Sequence, residues 1–145
     1  MKRDGDMDEN EIRKLVESAI SAREKAYVPY SRFMVGAALL TKNGKLYKGC
    51  NVENASYGAG ICAERTAFVK AVSEGEREFA AIAIAGGREG DSIEGYAYPC
   101  GICRQVMLEF CDKDFKVIVA GSTGDYKCHS LDKLIPHGFS AKDLI

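Results

Sequence analysis

The sequence lacks three features that would each point to a particular class of protein: a long apolar run, a strong net charge and a supply of histidine. No apolar stretch approaches the roughly 20 residues of a membrane-spanning helix, and no charged segment followed by an apolar one opens the chain as an export signal would. The formal net charge is −1, without the clustered basic surface of a nucleic-acid binder. We therefore expect a cytoplasmic protein that binds neither membranes nor nucleic acid.

The histidines do not stand where a metal site shared with the cysteines would need them. His129 and His137 are the only histidines, and because neither stands at ligand spacing from the cysteines, we expect both at surface or turn positions. Six cysteines are present. A disulfide framework would need an oxidising compartment, so metal binding or simple burial is the favoured interpretation of these cysteines.

The length and composition fit one domain with an ordinary core. The chain has 145 residues, of which 46% are apolar and 28% charged, and no repeat, low-complexity tract or linker divides it. We expect a single domain over residues 1–145, with residues 1–10 as a flexible tail.

Hydrophobic periodicity predicts helices that alternate with strands. The predicted helices cover about 12–27, 62–74, 100–110 and 130–135, and the predicted strands cover 33–40, 45–50, 79–85, 117–120 and 126–128. The strands at 79–85 and 117–120 flank a helix, so we expect them to be parallel with a right-handed crossover. The fold class is therefore α/β, a three-layer α/β/α arrangement around a mixed sheet of about five strands.

The strongest chemical signal combines a Cys-x-Glu element with a Cys-x-x-Cys pair. Cys62 and Glu64 form the first piece, and Cys100 and Cys103 form the second. All three cysteines fall in the first turns of predicted helices, where free N–H groups and the helix dipole favour thiolates. Three thiolates around Zn²⁺ leave the fourth tetrahedral position open, and a water there becomes acidic. With Glu64 to move its protons, the pattern predicts a zinc-dependent hydrolase that replaces an amine by a hydroxyl.

Two other interpretations of the cysteines stay open at this point. A Cys-x-x-Cys pair is also typical of redox sites, although that would leave the Cys-x-Glu element unexplained. A closed structural zinc site needs a fourth ligand. Cys50, Cys111 and Cys128 are available, but each has an apolar or strand-end context, where free cysteine is often buried in a core.

Several segments resemble one enzyme family. The three-cysteine pattern and the non-ligand glutamate fit the zinc deaminases, and the sequence is similar, more closely, to the cytidine deaminases that act on free nucleosides. The matching segments are Pro29-Tyr30-Ser31-x-Phe33-x-Val35-Gly36-Ala37-Ala38, Asn51-Val52-Glu53-Asn54-Ala55-Ser56-Tyr57, Cys62-Ala63-Glu64-Arg65-Thr66-Ala67, Pro99-Cys100-Gly101-x-Cys103-Arg104-Gln105 and Leu134-Ile135-Pro136-x-x-Phe139. The likeness covers all but about the first ten residues. One departure is Tyr98, where the family often carries serine; next to Cys100, Tyr98 could narrow the mouth of the pocket.

The resemblance implies a reaction and roles for two charged residues. Cytidine and deoxycytidine would be deaminated to uridine and deoxyuridine, with Glu64 taking a proton from the attacking water, passing one to ring N3 and protonating the leaving amine. Three thiolates and Zn²⁺ sum to −1, and a guanidinium near the sulfurs would withdraw charge. Arg65 and Arg104 are candidates for that task, and the resemblance favours Arg65.

The resemblance also implies a nucleoside pocket and an assembly. Asn51 and Glu53 would bind the ribose hydroxyls, Phe33 and Tyr57 would line the pocket, and the Ala63 backbone would hold the carbonyl of the base. The remaining residues implied to bind substrate are Ala55 and Phe139. In similar three-cysteine enzymes the phenylalanine at the Phe139 position reaches a neighbouring subunit's site, so the expected assembly is a homotetramer.

Less specific explanations exist for each residue, and other functions compete. Glu64 could simply serve the helix dipole, Phe33 could pack in the core and Arg65 could lie on the surface. The competing functions are a zinc-stabilised module without turnover, a deaminase of a nucleoside analogue, and an editing deaminase acting on polynucleotide. The balanced charge argues against the last of these.

Overall fold

Helices and strands alternate along the chain in the order that the periodicity predicts. A computed structural model describes residues 6–93 and 95–145. The helices are α1 (Glu9–Ala22), α2 (Ala63–Ser73), α3 (Gly101–Phe110) and α4 (Leu131–Leu134), and the strands are β1 (Phe33–Thr41), β2 (Leu46–Cys50), β3 (Phe79–Arg88), β4 (Lys116–Ser122) and β5 (Asp125–Ser130). Short 3₁₀ turns lie at Arg23–Lys25, Tyr57–Ala59 and Ala141–Asp143. Within these described residues, no helix has the length and apolar character that crossing a membrane requires.

The boundaries of two elements differ from the prediction. Helix α1 begins at Glu9, inside the segment expected to be flexible, because the Asp8 carboxylate caps it by accepting from the Glu11 N–H at 2.8 Å; residues 1–5 of that segment lie outside the described residues. The helix ends at Ala22, and a 3₁₀ turn replaces its predicted continuation to residue 27. Strand β3 extends to Arg88 because its last residues pair with the start of β1.

The five strands form one mixed sheet in the order β2-β1-β3-β4-β5. Strands β3 and β4 are parallel, and α3 lies in the connection between them. The other three pairs are antiparallel. Helices cover both faces of this sheet, so the predicted three-layer α/β fold with a mixed five-stranded sheet is confirmed.

The two faces of the sheet carry side chains of different size. Alanines dominate the face under α1: Ala38, Ala81, Ala83 and Ala85 pack with Leu15, Val16 and Ala19. The opposite face, under α2 and α3, carries larger residues that include Leu39, Ile82, Ile84 and Phe68. Because side chains alternate along a strand, burial of both faces explains why β1 and β3 are almost continuously apolar.

Backbone hydrogen bonds fix the irregular segment before α2. The Tyr27 N–H donates to the Asn51 carbonyl at 3.0 Å, and the Glu53 N–H donates to the Tyr27 carbonyl at 2.8 Å. Val52 and Ile61 exchange two hydrogen bonds of 3.0 Å each. The segment between β2 and α2 is therefore tied down at both ends, and the first turn of α2 has a fixed position beside β1.

Two strand glycines allow the helices to approach the sheet closely. A Cβ atom at Gly36 would lie 2.0 Å from the Ala19 carbonyl oxygen and 2.4 Å from the Arg23 nitrogen. One at Gly49 would lie 2.5 Å from the Ala63 carbonyl oxygen. In both cases the neighbour is backbone, which cannot rotate away, so glycine is required for this packing.

We expect Gly36→Ala to lower the free energy of unfolding by about 3 kcal/mol, because the added methyl group must push α1 away from β1. The measurement is denaturant unfolding of the zinc-loaded protein, followed by circular dichroism. Gly124→Ala is the matched control, since a Cβ at Gly124 meets nothing within 4 Å. Equal stability of the two variants would contradict the prediction.

Candidate active site

The first turns of α2 and α3 bring three cysteine sulfurs together. Cys62 and Cys100 are the N-cap residues of these helices, and Cys103 lies in the first turn of α3. The three Sγ atoms all lie within 4.8 Å of one another, and those of Cys62 and Cys100 are 3.7 Å apart. Sulfurs bound to one tetrahedral zinc at about 2.3 Å lie about 3.8 Å from each other. The spacing therefore fits three ligands of a single zinc ion.

Neither N-cap cysteine uses its side chain to cap its helix. Both have the extended backbone conformation that is usual for N-cap residues, and the N–H groups of the first turns have no acceptor within the helix. These N–H groups and the helix dipoles favour negative charge on the sulfurs. The arrangement suits thiolate ligands of a cation.

The three sulfurs compete for negative charge. Hydrogen bonding from Cys103, together with Arg65, lowers the pKa of the Cys62 thiol to about 5. The same contact and burial raise the pKa of Cys103. One thiolate in the cluster thus disfavours the next, and a divalent cation would remove that penalty by compensating the charge. The chemistry of the donor set therefore fits zinc as well as its geometry does.

The other three cysteines lie outside the sulfur cluster. Among the described residues, the group of histidine, cysteine and carboxylate ligand atoms within 4.8 Å of one another comprises Cys62, Cys100 and Cys103 and no fourth residue of these types. Burial raises the pKa of each remaining thiol, at Cys50, Cys111 and Cys128. A closed structural zinc site of four protein ligands is therefore not formed by the described part of the chain.

Arg65 and Arg104 have different partners. The Arg65 guanidinium donates through Nη2 to the Cys62 sulfur at 3.5 Å, and this hydrogen bond is the main reason that the pKa of Arg65 is raised. Arg104 instead donates to the carbonyl oxygens of Pro99 and Leu134, at 2.8 and 2.7 Å. Arg65 is thus placed to withdraw charge from a ligand, while Arg104 fixes the backbone before Cys100 and at the end of α4.

Glu64 is a buried carboxyl beside the sulfur cluster. It lies in the first turn of α2 and is only 4% exposed. Burial, together with the nearby charge on Cys62, raises its pKa to about 7. Such a group can both accept and release a proton near neutral pH.

Glu64 and two of the cysteines, Cys62 and Cys100, line a depression of about 230 Å³. Three of the predicted substrate-binding residues, Phe33, Asn51 and Ala63, line it too, as does Tyr98. Phe33 is 40% exposed, so its ring forms part of the wall of the depression rather than the core. This inner depression is large enough for a small flat ring and smaller than pockets for drug-sized ligands, which begin at roughly 300 Å³.

Two further predicted residues line an outer cavity of about 400 Å³. Glu53 and Tyr57 share it with Tyr30 and Ser31. Asn51 and Glu53, expected to face the same side, thus line different cavities. Tyr30 and Ser31 were not predicted to line a cavity, although both stand in the Pro29-Tyr30-Ser31 segment that carries the resemblance.

Asn51 and Glu53 also hold the backbone of their own chain. The Asn51 amide accepts from the Val35 N–H and donates to the Phe33 carbonyl, both at 2.9 Å. Glu53 accepts through Oε1 from the N–H groups of Tyr30 and Ser31, at 3.0 and 3.1 Å, and hydrogen bonding to Ser31 lowers its pKa. Each side chain therefore keeps only part of its hydrogen-bonding capacity for a ligand.

The structure does not bring every predicted residue to the sulfur cluster. Ala55 is exposed and lines neither the inner depression nor the outer cavity. Phe139 is 60% exposed and lines a third cavity together with Leu108, and its carbonyl accepts from the Gln105 amide at 2.8 Å. Of the two histidines, His137 is exposed in a turn as expected, whereas His129 lies half-buried on β5.

The chain is similar to known proteins both in sequence and in structure. The model of the cytidine and deoxycytidylate deaminase zinc-binding region matches residues 9–119. The chain is 50% identical over 130 residues to cytidine deaminase of Halalkalibacterium halodurans, covering 90% of this chain and 95% of that protein. It is 48% identical over 134 residues to cytidine deaminase of Sporosarcina psychrophila, covering 92% and 95%. A solved structure of cytidine deaminase from Burkholderia pseudomallei superposes with a TM-score of 0.79 at 50% identity, covering 87% of this chain and 97% of that one.

The sulfur cluster predicts a metal content that can be counted. We expect about one zinc per chain in the purified protein, and loss of most of it in Cys100→Ala, because two thiolates bind zinc far more weakly than three. Elemental analysis of the dialysed protein provides the measurement. Cys128→Ala, which removes a thiol outside the cluster, should keep the full zinc content; loss of zinc from this control would argue against the assignment.

Proposed function

The chain belongs to the family of zinc-dependent cytidine and deoxycytidylate deaminases, and from this premise we propose that it hydrolyses cytidine and deoxycytidine to uridine and deoxyuridine with release of ammonia. The family resemblance in the sequence is thereby confirmed. The observation that carries the proposal is the buried carboxyl of Glu64 in the same depression as Cys62 and Cys100. A zinc-stabilised module without turnover would have no use for a buried acid at that place, because burying a carboxyl costs free energy.

Glu64 is the proposed catalytic residue. Zinc held by Cys62, Cys100 and Cys103 supplies the Lewis acidity that acidifies the attacking water. Glu64 accepts a proton from this water, delivers one to ring N3 and later protonates the leaving amine. One water is consumed, the C4–N bond of the base breaks, and ammonia leaves as C4 gains an oxygen.

The inner depression is the proposed site of the base. Phe33 packs against the pyrimidine, and its partly exposed ring offers an apolar surface for that contact. The Ala63 N–H holds the carbonyl of the base, since N–H groups in the first turn of a helix have no intrahelical acceptor. Arg65 donates to Cys62 at 3.5 Å and reduces the charge that this ligand places on the metal.

The outer cavity is the proposed site of the sugar. Glu53 lines this cavity and has its second carboxylate oxygen, Oε2, for a ribose hydroxyl. Asn51, which lines the inner depression, has one amide hydrogen left and would bind a sugar hydroxyl from that side. Glu53 and Asn51 thus offer polar groups to the sugar hydroxyls of a nucleoside, whereas a free base has no sugar for them to bind.

We expect Glu64→Gln to keep its zinc and its fold but to lose at least about 1,000-fold in kcat, because the amide cannot transfer protons. Loss of ultraviolet absorbance with cytidine, deoxycytidine and adenosine measures turnover, and metal content is measured on the same sample. Glu74→Gln, at the exposed end of α2, is the matched control and should keep wild-type activity. Turnover by Glu64→Gln at the wild-type rate would refute the assignment.

A homotetramer is the proposed assembly, with the aromatic groups that one chain leaves exposed completing the sites of its neighbours. Tyr57 is 85% exposed and Phe139 60% exposed, and aromatic residues are enriched in protein–protein interfaces. Ala55, exposed beside Tyr57, would belong to the same contact. A single domain over residues 1–145 and a cytoplasmic location stay predictions.

Sedimentation should give a mass near four times the 15.8 kDa of one chain. We further expect Phe139→Ala to raise KM for cytidine by about tenfold while the zinc content stays unchanged, because the substrate loses an apolar contact and the sulfurs lose nothing. A fully active monomer would contradict both expectations.

A further inference from the structure

Two tyrosines precede Cys100 in the irregular segment that joins β3 to α3. They are Tyr96 and Tyr98. Strand β5 lies at the edge of the sheet, and its alternate residues Asp125, Lys127 and His129 share one face, since side chains in a strand repeat every two residues. The side chains of this face contact the two tyrosines. Because Tyr98 lines the inner depression, the edge strand supports the wall of the active site.

The contacts differ for the two rings. The Tyr96 hydroxyl donates to the Asp125 carboxylate at 2.7 Å, and the Lys127 ammonium lies 4.6 Å from the centre of the Tyr96 ring. The Tyr98 hydroxyl is 3.0 Å from Nε2 of His129, and the centres of these two rings are 5.3 Å apart. Tyr98 is therefore held both by a hydrogen bond and by ring packing.

Tyr98 lies at the mouth of the inner depression. It lines the same 230 Å³ space as Glu64 and Cys100, and 42% of it remains exposed. Because Tyr98 borders this space, the position of its ring limits how large a base the depression accepts.

We propose that Tyr98, held in place by His129, is a specificity-determining residue that limits the size of the group at C5 of the pyrimidine. The inference rests on the proposed function. With C4 beside the metal and Glu64 serving N3, the other ring neighbour of C4 is C5. Tyr98 comes from the chain segment of Cys100 and Glu64 from that of Cys62, and both line the depression. With Glu64 at N3, we place Tyr98 on the C5 side of the base.

The test compares kcat/KM for 5-methylcytidine with kcat/KM for cytidine. In Tyr98→Ala we expect this ratio to rise about tenfold or more over the wild type, which is the size of effect that one methyl group produces in a tight apolar pocket. Tyr98→Phe and His129→Ala each remove the same hydrogen bond while the ring at position 98 remains. Tyr98→Phe should raise the ratio by a smaller factor, about threefold. His129→Ala, which also removes the ring contact, should raise it at least as much, and the double variant should not exceed His129→Ala.

Cys128→Ala is the matched control, because Cys128 is the neighbour of His129 on the opposite face of β5. Its ratio should equal that of the wild type. A ratio in Tyr98→Ala within twofold of the wild type overturns the role of Tyr98, and additive effects of Tyr98→Phe and His129→Ala overturn the anchoring by His129. If the wild type turns over cytidine, either of these results leaves the proposed function intact. If the wild type does not turn over cytidine, the proposed function and this inference are both refuted.

Discussion

The convergence of two helix N-termini on one point beside the sheet is the constraint on which the rest of the structure depends. Helices α2 and α3 both begin at a cysteine whose side chain does not cap the helix. Their free N–H groups and dipoles, with Arg65, stabilise negative charge where water is partly excluded. Three sulfurs within 4.8 Å cannot all be thiolates without a cation, so metal binding stabilises the same arrangement of helices that forms the site.

That convergence requires rigid supports on both sides of the sulfur cluster. Gly49 lets the first two turns of α2 touch β2, where a Cβ atom would meet the Ala63 carbonyl oxygen at 2.5 Å. Arg104 fixes the backbone before Cys100 through the Pro99 carbonyl at 2.8 Å. A shift of either helix by an ångström would change the sulfur distances and the place of Glu64 together. Packing of the helices on the sheet is therefore part of the metal site's geometry.

Short-range sequence patterns predicted the secondary structure and the positions of the cysteines at helix starts. Apolar periodicity predicted the strands and their order along the chain. Helix-start positions predicted that Cys62, Cys100 and Cys103 would lie in first turns. Contacts between distant segments carried no such signal: Tyr98 and His129 are 31 residues apart, and Tyr30 and Glu53 are 23 apart. The substrate-binding residues came from family resemblance, because nothing in a loop asparagine or glutamate distinguishes a ligand contact from solvation. The end of α1 was misplaced because a 3₁₀ turn of three charged residues, Arg23–Lys25, follows the helix directly, and no proline or glycine marks the change before Pro29.

The use of Asn51 and Glu53 to hold their own backbone bears on how the sugar is bound. Each side chain is already fixed by two hydrogen bonds to main-chain groups, so little rotamer entropy is left to lose when a ribose arrives. The same bonds aim the remaining oxygen or amide hydrogen in a set direction, which favours hydroxyls at one spacing over others. Replacing either residue removes a ligand contact and also loosens the entry to β1 or the turn at Tyr30. The binding and folding effects of such a replacement are therefore coupled, because one side chain serves the sugar and the wall around it.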